Sequence, residues 1–171
     1  AFLDAHSHFT QTACSFLQAS LRGVSTEKEL VCRIRAYIKE SGAAPGAWVT
    51  AGDYDHNLME GGKNPPLSLL DQAAPENPLF IRHQSGHSGL MNSLALKTLC
   101  ITESTEAPEG GRIEKKEGKL TGRLEENALF HYQKKLPMPD GEALEKAYKK
   151  AQDCYAAHGI TMVQEGGSQK C

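Results

Sequence analysis

Phe2-Leu3-Asp4-Ala5-His6-Ser7-His8-Phe9 opens the chain with a short apolar run that leads straight into His-x-His. Residues 2–6 read as a buried strand. Side chains alternate between the two faces of a strand, so residues i and i+2 point the same way. His6 and His8 then share a face, with Cα atoms about 6–7 Å apart, close enough to hold one metal ion between them. Neutral imidazole is the commonest metal ligand near pH 7. Two ligands do not fill a tetrahedral site, and two histidines ending a strand are equally read as plain polar residues.

Working outward, Thr26-x-x-Glu29 fits a capping box. Leu30, Ile34, Tyr37 and Ile38 follow at helical spacing, and Gly42 marks the stop. Trp48 to Ala51 reads as a second strand that ends at Gly52-Asp53-Tyr54-Asp55-His56. Leu67 to Ala74 reads as a short helix. Pro78 to His83 reads as a third, buried strand running into a loop, Ser85-Gly86-His87-Ser88-Gly89. Asn92 or Ser93 caps a helix through Leu99. A hairpin of polar strands flanks Glu117-Gly118, and 124–136 reads as a helix beginning with Glu125 and Glu126. The longest helix spans 140–158 with Asp140 as N-cap, followed by a strand, Ile160 to Val163, that opens onto Gln164-Glu165-Gly166-Gly167. Strands apolar on both faces, alternating with helices, predict α/β layering with a mainly parallel sheet.

Composition narrows the function classes. The chain has 171 residues, net charge −2, 39% apolar and 23% charged residues, which suits a globular domain and provides no basic field for nucleic acid or membrane. No apolar run approaches the ~20 residues of a membrane helix. The glycine pairs match neither the P-loop nor G-x-G-x-x-G, so nucleotide binding is discarded. Five widely spaced cysteines, Cys14, Cys32, Cys100, Cys154 and Cys171, lack C-x-x-C and predict reduced thiols in a cytoplasmic protein, with Cys32 and Cys154 as core filler.

Five segments in order resemble one family: Phe2 to His8; Trp48 with Gly52 to Asp55; Ser85-Gly86-His87 with Asn92 to Leu96; Gly122 to Ala128; and His158 to Thr161. They are similar to the amidohydrolase family 3 proteins, metal-dependent hydrolases of the amidohydrolase superfamily. The resemblance implies an incomplete piece of a (β/α)₈ barrel. Residues 1–8 would be its first strand with His-x-His, 9–138 a large α/β insertion, and 139–171 a barrel helix and second strand. Such a barrel takes ~250 residues, and the chain starts with Ala1 rather than Met, so a piece of a longer enzyme is expected.

The activity so implied is hydrolysis of a carbon–nitrogen bond, other than a peptide bond, in a small molecule through a metal-activated water. The cofactor is a divalent metal, zinc, with His6 and His8 as ligands. Metal held by that pair alone is expected to be weak or absent, and the isolated chain inactive. His87, Tyr54 and Glu165 are the expected substrate-binding residues. His56, His83, His87 and Glu165 are candidate further ligands. His56 otherwise reads as a surface loop residue, His83 as a satisfied polar residue at a strand end, and Asp53 and Asp55 as turn caps. A homodimer through exposed strand edges is a further expectation. The alternative is a non-catalytic α/β binding or interaction module.

Overall fold

The computed structural model describes residues 1–166; Gly167 and Cys171 lie outside the described residues. In chain order the elements are β1 (Phe2–Ser7), α1 (Phe9–Ser15), β2 (Ala19–Ser20), α2 (Glu27–Ser41), β3 (Val49–Tyr54), α3 (Leu67–Ala73), β4 (Leu79–His83), β5 (Ser88–Met91), α4 (Ser93–Thr98), β6 (Gly111–Lys116), β7 (Lys119–Glu126), α5 (Asn127–Gln133), α6 (Gly141–Ala157) and β8 (Ile160–Glu165). This is a mixed α/β fold. No helix among the described residues is long and apolar enough to cross a membrane. The chain divides into two compact units, residues 19–136 and the two flanking stretches 1–18 and 137 onward.

The flanking unit holds a two-stranded sheet in which β1 and β8 run parallel, Phe2 opposite Ile160 and Leu3 opposite Met162. Ala13, Ala147 and Ala151 form its small core, with Phe9, Leu17 and Tyr148 packed against them. The Asp140 carboxylate caps α6 by accepting from the Ala143 amide at 2.8 Å. β1 is not the buried strand its apolar run predicts. Phe2 is 67%, Leu3 64% and Met162 62% exposed.

The larger unit is a six-stranded sheet in the order β2-β3-β4-β5-β7-β6. β2, β3 and β4 are parallel, whereas β5, β7 and β6 are antiparallel, so the expected mainly parallel sheet is mixed. Helices cover both faces. Successive residues of β4 alternate between them: Leu79 and Ile81 join Leu30, Ile34 and Leu70 on one side, and Phe80 joins Met91, Leu96, Leu124 and Leu129 on the other. Asn92, 1% exposed, ties the two halves of the sheet together. Its Oδ1 accepts from the Leu79 and Ala95 amides, and its Nδ2 donates to the Ala74 and Asn77 carbonyls.

Local signals locate α2 well. Thr26 Oγ1 accepts from the Glu29 amide at 3.1 Å, and Gly42 closes the helix in the left-handed region. Two elements differ from the sequence reading. Ser88–Met91 is a strand, not a loop. Leu124, Glu125 and Glu126 continue β7, so the helix expected over 124–136 is only Asn127–Gln133. Leu124 is buried against the sheet, while Glu125 pairs with Arg123 at 2.8 Å and Arg112 at 3.5 Å across the hairpin. The Arg112 pair across the hairpin and the Arg123 pair along β7 outweigh the helix-terminus role assigned to the acidic residues. Cys32, Cys100 and Cys154 are free and exposed, so Cys32 and Cys154 are not core filler.

Candidate functional site

In the flanking unit, β1 ends at Ser7, and His8 lies just beyond it as the residue before α1, with φ −116° and ψ 58°. The His6 and His8 rings stand nearly perpendicular, with centroids 5.3 Å apart. Glu165, the last residue of β8, reaches into the same place. Its Oε1 lies 3.7 Å from His8 Nδ1, and its Oε2 accepts from the Thr10 amide at 2.8 Å. Parallel pairing brings this about, because β1 and β8 finish at the same sheet edge, Ser7 opposite Glu165. The His6 ring packs on Gly166, where an added Cβ would sit 2.6 Å from its Nε2 and Cε1. The backbone is therefore shaped around this imidazole.

These residues fit a divalent metal by donor chemistry: two imidazoles with a carboxylate beside them. The Glu165 carboxylate lies 3.7 Å from His8 Nδ1, close to the ring. Below the rings, Ser7 Oγ and Tyr155 OH hydrogen-bond at 2.6 Å and buttress the strand end.

The larger unit carries a second group of functional side chains. His87 is exposed, and its Nδ1 lies 3.1 Å from Glu126 Oε2. Glu126 adopts φ 50°, an uncommon value without glycine, while its amide donates to the His87 carbonyl. Tyr54 is 1% exposed, with its hydroxyl donating to Asn64 Oδ1 at 3.1 Å and its ring 5.9 Å from that of His83. Burial raises the Tyr54 phenol well above its ordinary pKa, and the Asp55 charge adds to this. It is a neutral hydrogen-bond donor.

Asp55, His56 and His83 come together at the C-terminal ends of β3 and β4, within 4.8 Å of one another. Among the described residues they are the one cluster of three or more metal-type side chains so close. Tyr54 pairs with His83 in the sheet register, so the residues following Tyr54 fall beside the end of β4. His56 Nδ1 and His83 Nε2 are 3.0 Å apart. The Asn57 amide holds Asp55 below the usual carboxylate range. Partial burial opposes this, and the Asn57 side chain and the two imidazoles reinforce it. Burial lowers the His83 pKa, His56 pushes the same way, and Asp55 opposes both.

The two shifts set separate pH windows. An imidazole ionising below its ordinary value of ~6.5 binds its proton less readily folded than unfolded, so its contribution to stability is complete above ~6.5 and is lost as pH falls toward the depressed folded value. Asp55 contributes above ~3.8 and loses that contribution only at lower pH. In chelator-treated protein, urea denaturation is expected to show stability falling as the pH drops below about 6.5, and His83→Asn should flatten that fall.

Residues 1–170 match the amidohydrolase family. LONG AFTER FAR-RED 3 of Arabidopsis thaliana is 33% identical over 128 residues, covering 74% of this chain and 21% of that protein. An N-substituted formamide deformylase of Arthrobacter pascens is 34% identical over 135 residues, covering 76% and 24%. Two crystal structures of uncharacterized metal-dependent hydrolases share the fold. The one from Pyrococcus horikoshii OT3 has a TM-score of 0.65 at 24% identity, covering 95% of this chain and 30% of that one. The one from Pyrococcus furiosus has 0.63 at 23%, covering 95% and 31%. The chain thus spans less than a third of each of these relatives.

Proposed function

The chain belongs to the amidohydrolase family, and on that premise we propose that it forms part of a metal-dependent hydrolase cleaving a carbon–nitrogen bond, of the amide type, in a small molecule. The observation that carries this reading is the parallel pair β1–β8, whose shared end presents His6, His8 and Glu165. Active sites of (β/α)₈ barrels gather at the C-terminal ends of parallel strands. On this reading β1 and β8 are the first two barrel strands, and the stretch from α1 to α5 is the insertion between them. The apolar side chains of Phe2, Leu3 and Met162, exposed here, would be covered by further strands and helices of a longer polypeptide.

His6 and His8 would hold the ion, zinc by donor type, with the remaining ligands supplied from further strands. Such an ion supplies a water that ionises near neutral pH and polarisation of the scissile carbonyl. The residues of this chain bind and orient. Glu165, held by the Thr10 amide beside His8, accepts a hydrogen bond from the substrate. In the larger unit, His87 keeps one ring nitrogen open for a hydrogen bond while Glu126 faces the other. Tyr54 supports the floor beneath His83 from the core.

The test is hydrolysis of N-formyl and simple amide compounds by the longer polypeptide. Chelation should abolish turnover and added zinc restore it, while the 171-residue chain alone should show none. Turnover unaffected by chelation would overturn the proposal.

A further inference from the structure

We infer that Asp55, His56 and His83 form a second divalent-metal site, separate from the His6–His8 pair and contained within residues 19–136. The three facing donor atoms are His56 Nδ1, His83 Nε2 and Asp55 Oδ1. They form a triangle with edges of 3.0, 3.5 and 4.0 Å. The point equidistant from its corners lies inside it, about 2.1 Å from each atom, and zinc bonds to imidazole nitrogen and carboxylate oxygen are ~2.0–2.2 Å long. No donor atom has to move for an ion to sit in their plane at bonding distance from all three; a tetrahedral arrangement closes the 4.0 Å edge between His56 Nδ1 and Asp55 Oδ1 by about half an ångström.

The surroundings are those of a coordinating set. Asp55 is held from several sides: its Oδ1 accepts from the Asn57 amide at 2.9 Å and from Asn57 Nδ2 at 2.8 Å, and its Oδ2 accepts from Gln84 Nε2. Such contacts orient a ligating carboxylate. His83 is almost wholly buried, with 10% of its side chain exposed, whereas His56 is 32% exposed and leaves a way in. Three protein donors, two nitrogen and one oxygen, leave a fourth position for water, the pattern of open zinc sites. The N₂O donor set selects zinc and its late-transition neighbours over calcium or magnesium.

Metal binding carries a visible consequence at His83. In the metal-free form the Ser85 amide donates to His83 Nδ1 at 3.1 Å, so the neutral ring carries its proton on Nε2 and donates it toward His56 Nδ1. An ion at the triangle's centre needs the Nε2 lone pair, and the proton moves to Nδ1. Ser85 Oγ, 2.8 Å from that nitrogen, accepts it there, and the Ser85 amide gives up its bond to Nδ1. No proton is released from the neutral pair; the ring changes tautomer.

The experiment titrates the 171-residue chain carrying His6→Asn and His8→Asn with zinc alone. Calorimetry should show one equivalent bound at micromolar affinity or tighter, and imidazole ¹⁵N spectra should show one histidine passing from the Nε2–H to the Nδ1–H form. His56→Asn, at a half-exposed position, and Asp55→Asn should each weaken zinc binding at least tenfold with the far-UV spectrum unchanged. Absence of saturable binding, binding that survives His56→Asn, or unchanged imidazole tautomers would overturn the assignment. None of these readouts uses hydrolysis, so failure here is distinct from failure of the hydrolase reading.

Discussion

Gly122→Ala is expected to remove about 2–6 kcal/mol from the stability of the larger unit, measured by urea denaturation. Two costs combine. Gly122 sits at φ +89°, which strains any residue bearing a Cβ by about 1–3 kcal/mol. A Cβ there would also lie 2.3 Å from the Met91 carbonyl oxygen, a backbone atom that cannot move without disturbing β5. Forced overpacking of this kind costs a further ~1–3 kcal/mol. Gly118 is the control. It has a similar φ of +78° with nothing within 4 Å of its Cβ position, so Gly118→Ala should cost only about 1 kcal/mol. Equal losses at the two positions would show that conformation alone, and not the approach of β5 to β7, dictates glycine at 122.

His6→Asn and His8→Asn, each made in the longer polypeptide, are expected to lower kcat/KM for amide hydrolysis at least about a thousandfold, because the several kcal/mol of charge stabilisation from a metal-bound water depends on keeping the ion. Bound metal, measured by emission spectrometry, should fall in parallel. Both histidines are exposed, so the folded state should survive. Glu165→Gln should cost less, about 10- to 100-fold, as removal of an outer-shell partner does. A histidine variant retaining more than a tenth of the activity with its metal intact would remove the pair from the coordination sphere.

Much of the fold was legible in local chemistry. Thr26 with Glu29, Asp140 and Asn92 announce their helices because a cap is satisfied within three residues, and Gly42 ends α2 through its own backbone. The strand Ser88–Met91 was not legible. Its four residues carry two small polar or glycyl positions, and what makes them a strand is pairing with β4 and β7. β7 extends through Glu126 for the same reason, since Arg112 and Arg123 on the hairpin hold Glu125 extended.

His6 and His8 were readable as a pair because a single residue, Ser7, separates them, and their meeting with Glu165 follows from the parallel pairing of β1 with β8. The association of His56 with His83 had no sequence signal. They are 27 positions apart, each is unremarkable alone, and Asp55 resembles a turn cap. The amino-acid order by itself determined the helices, the caps and the metal-type dipeptide, because those interactions close within one or two turns of backbone. Tertiary structure alone decided which strand ends lie side by side, and with them which imidazoles and carboxylates share a site, because strand order and register depend on burying both faces of one sheet at once.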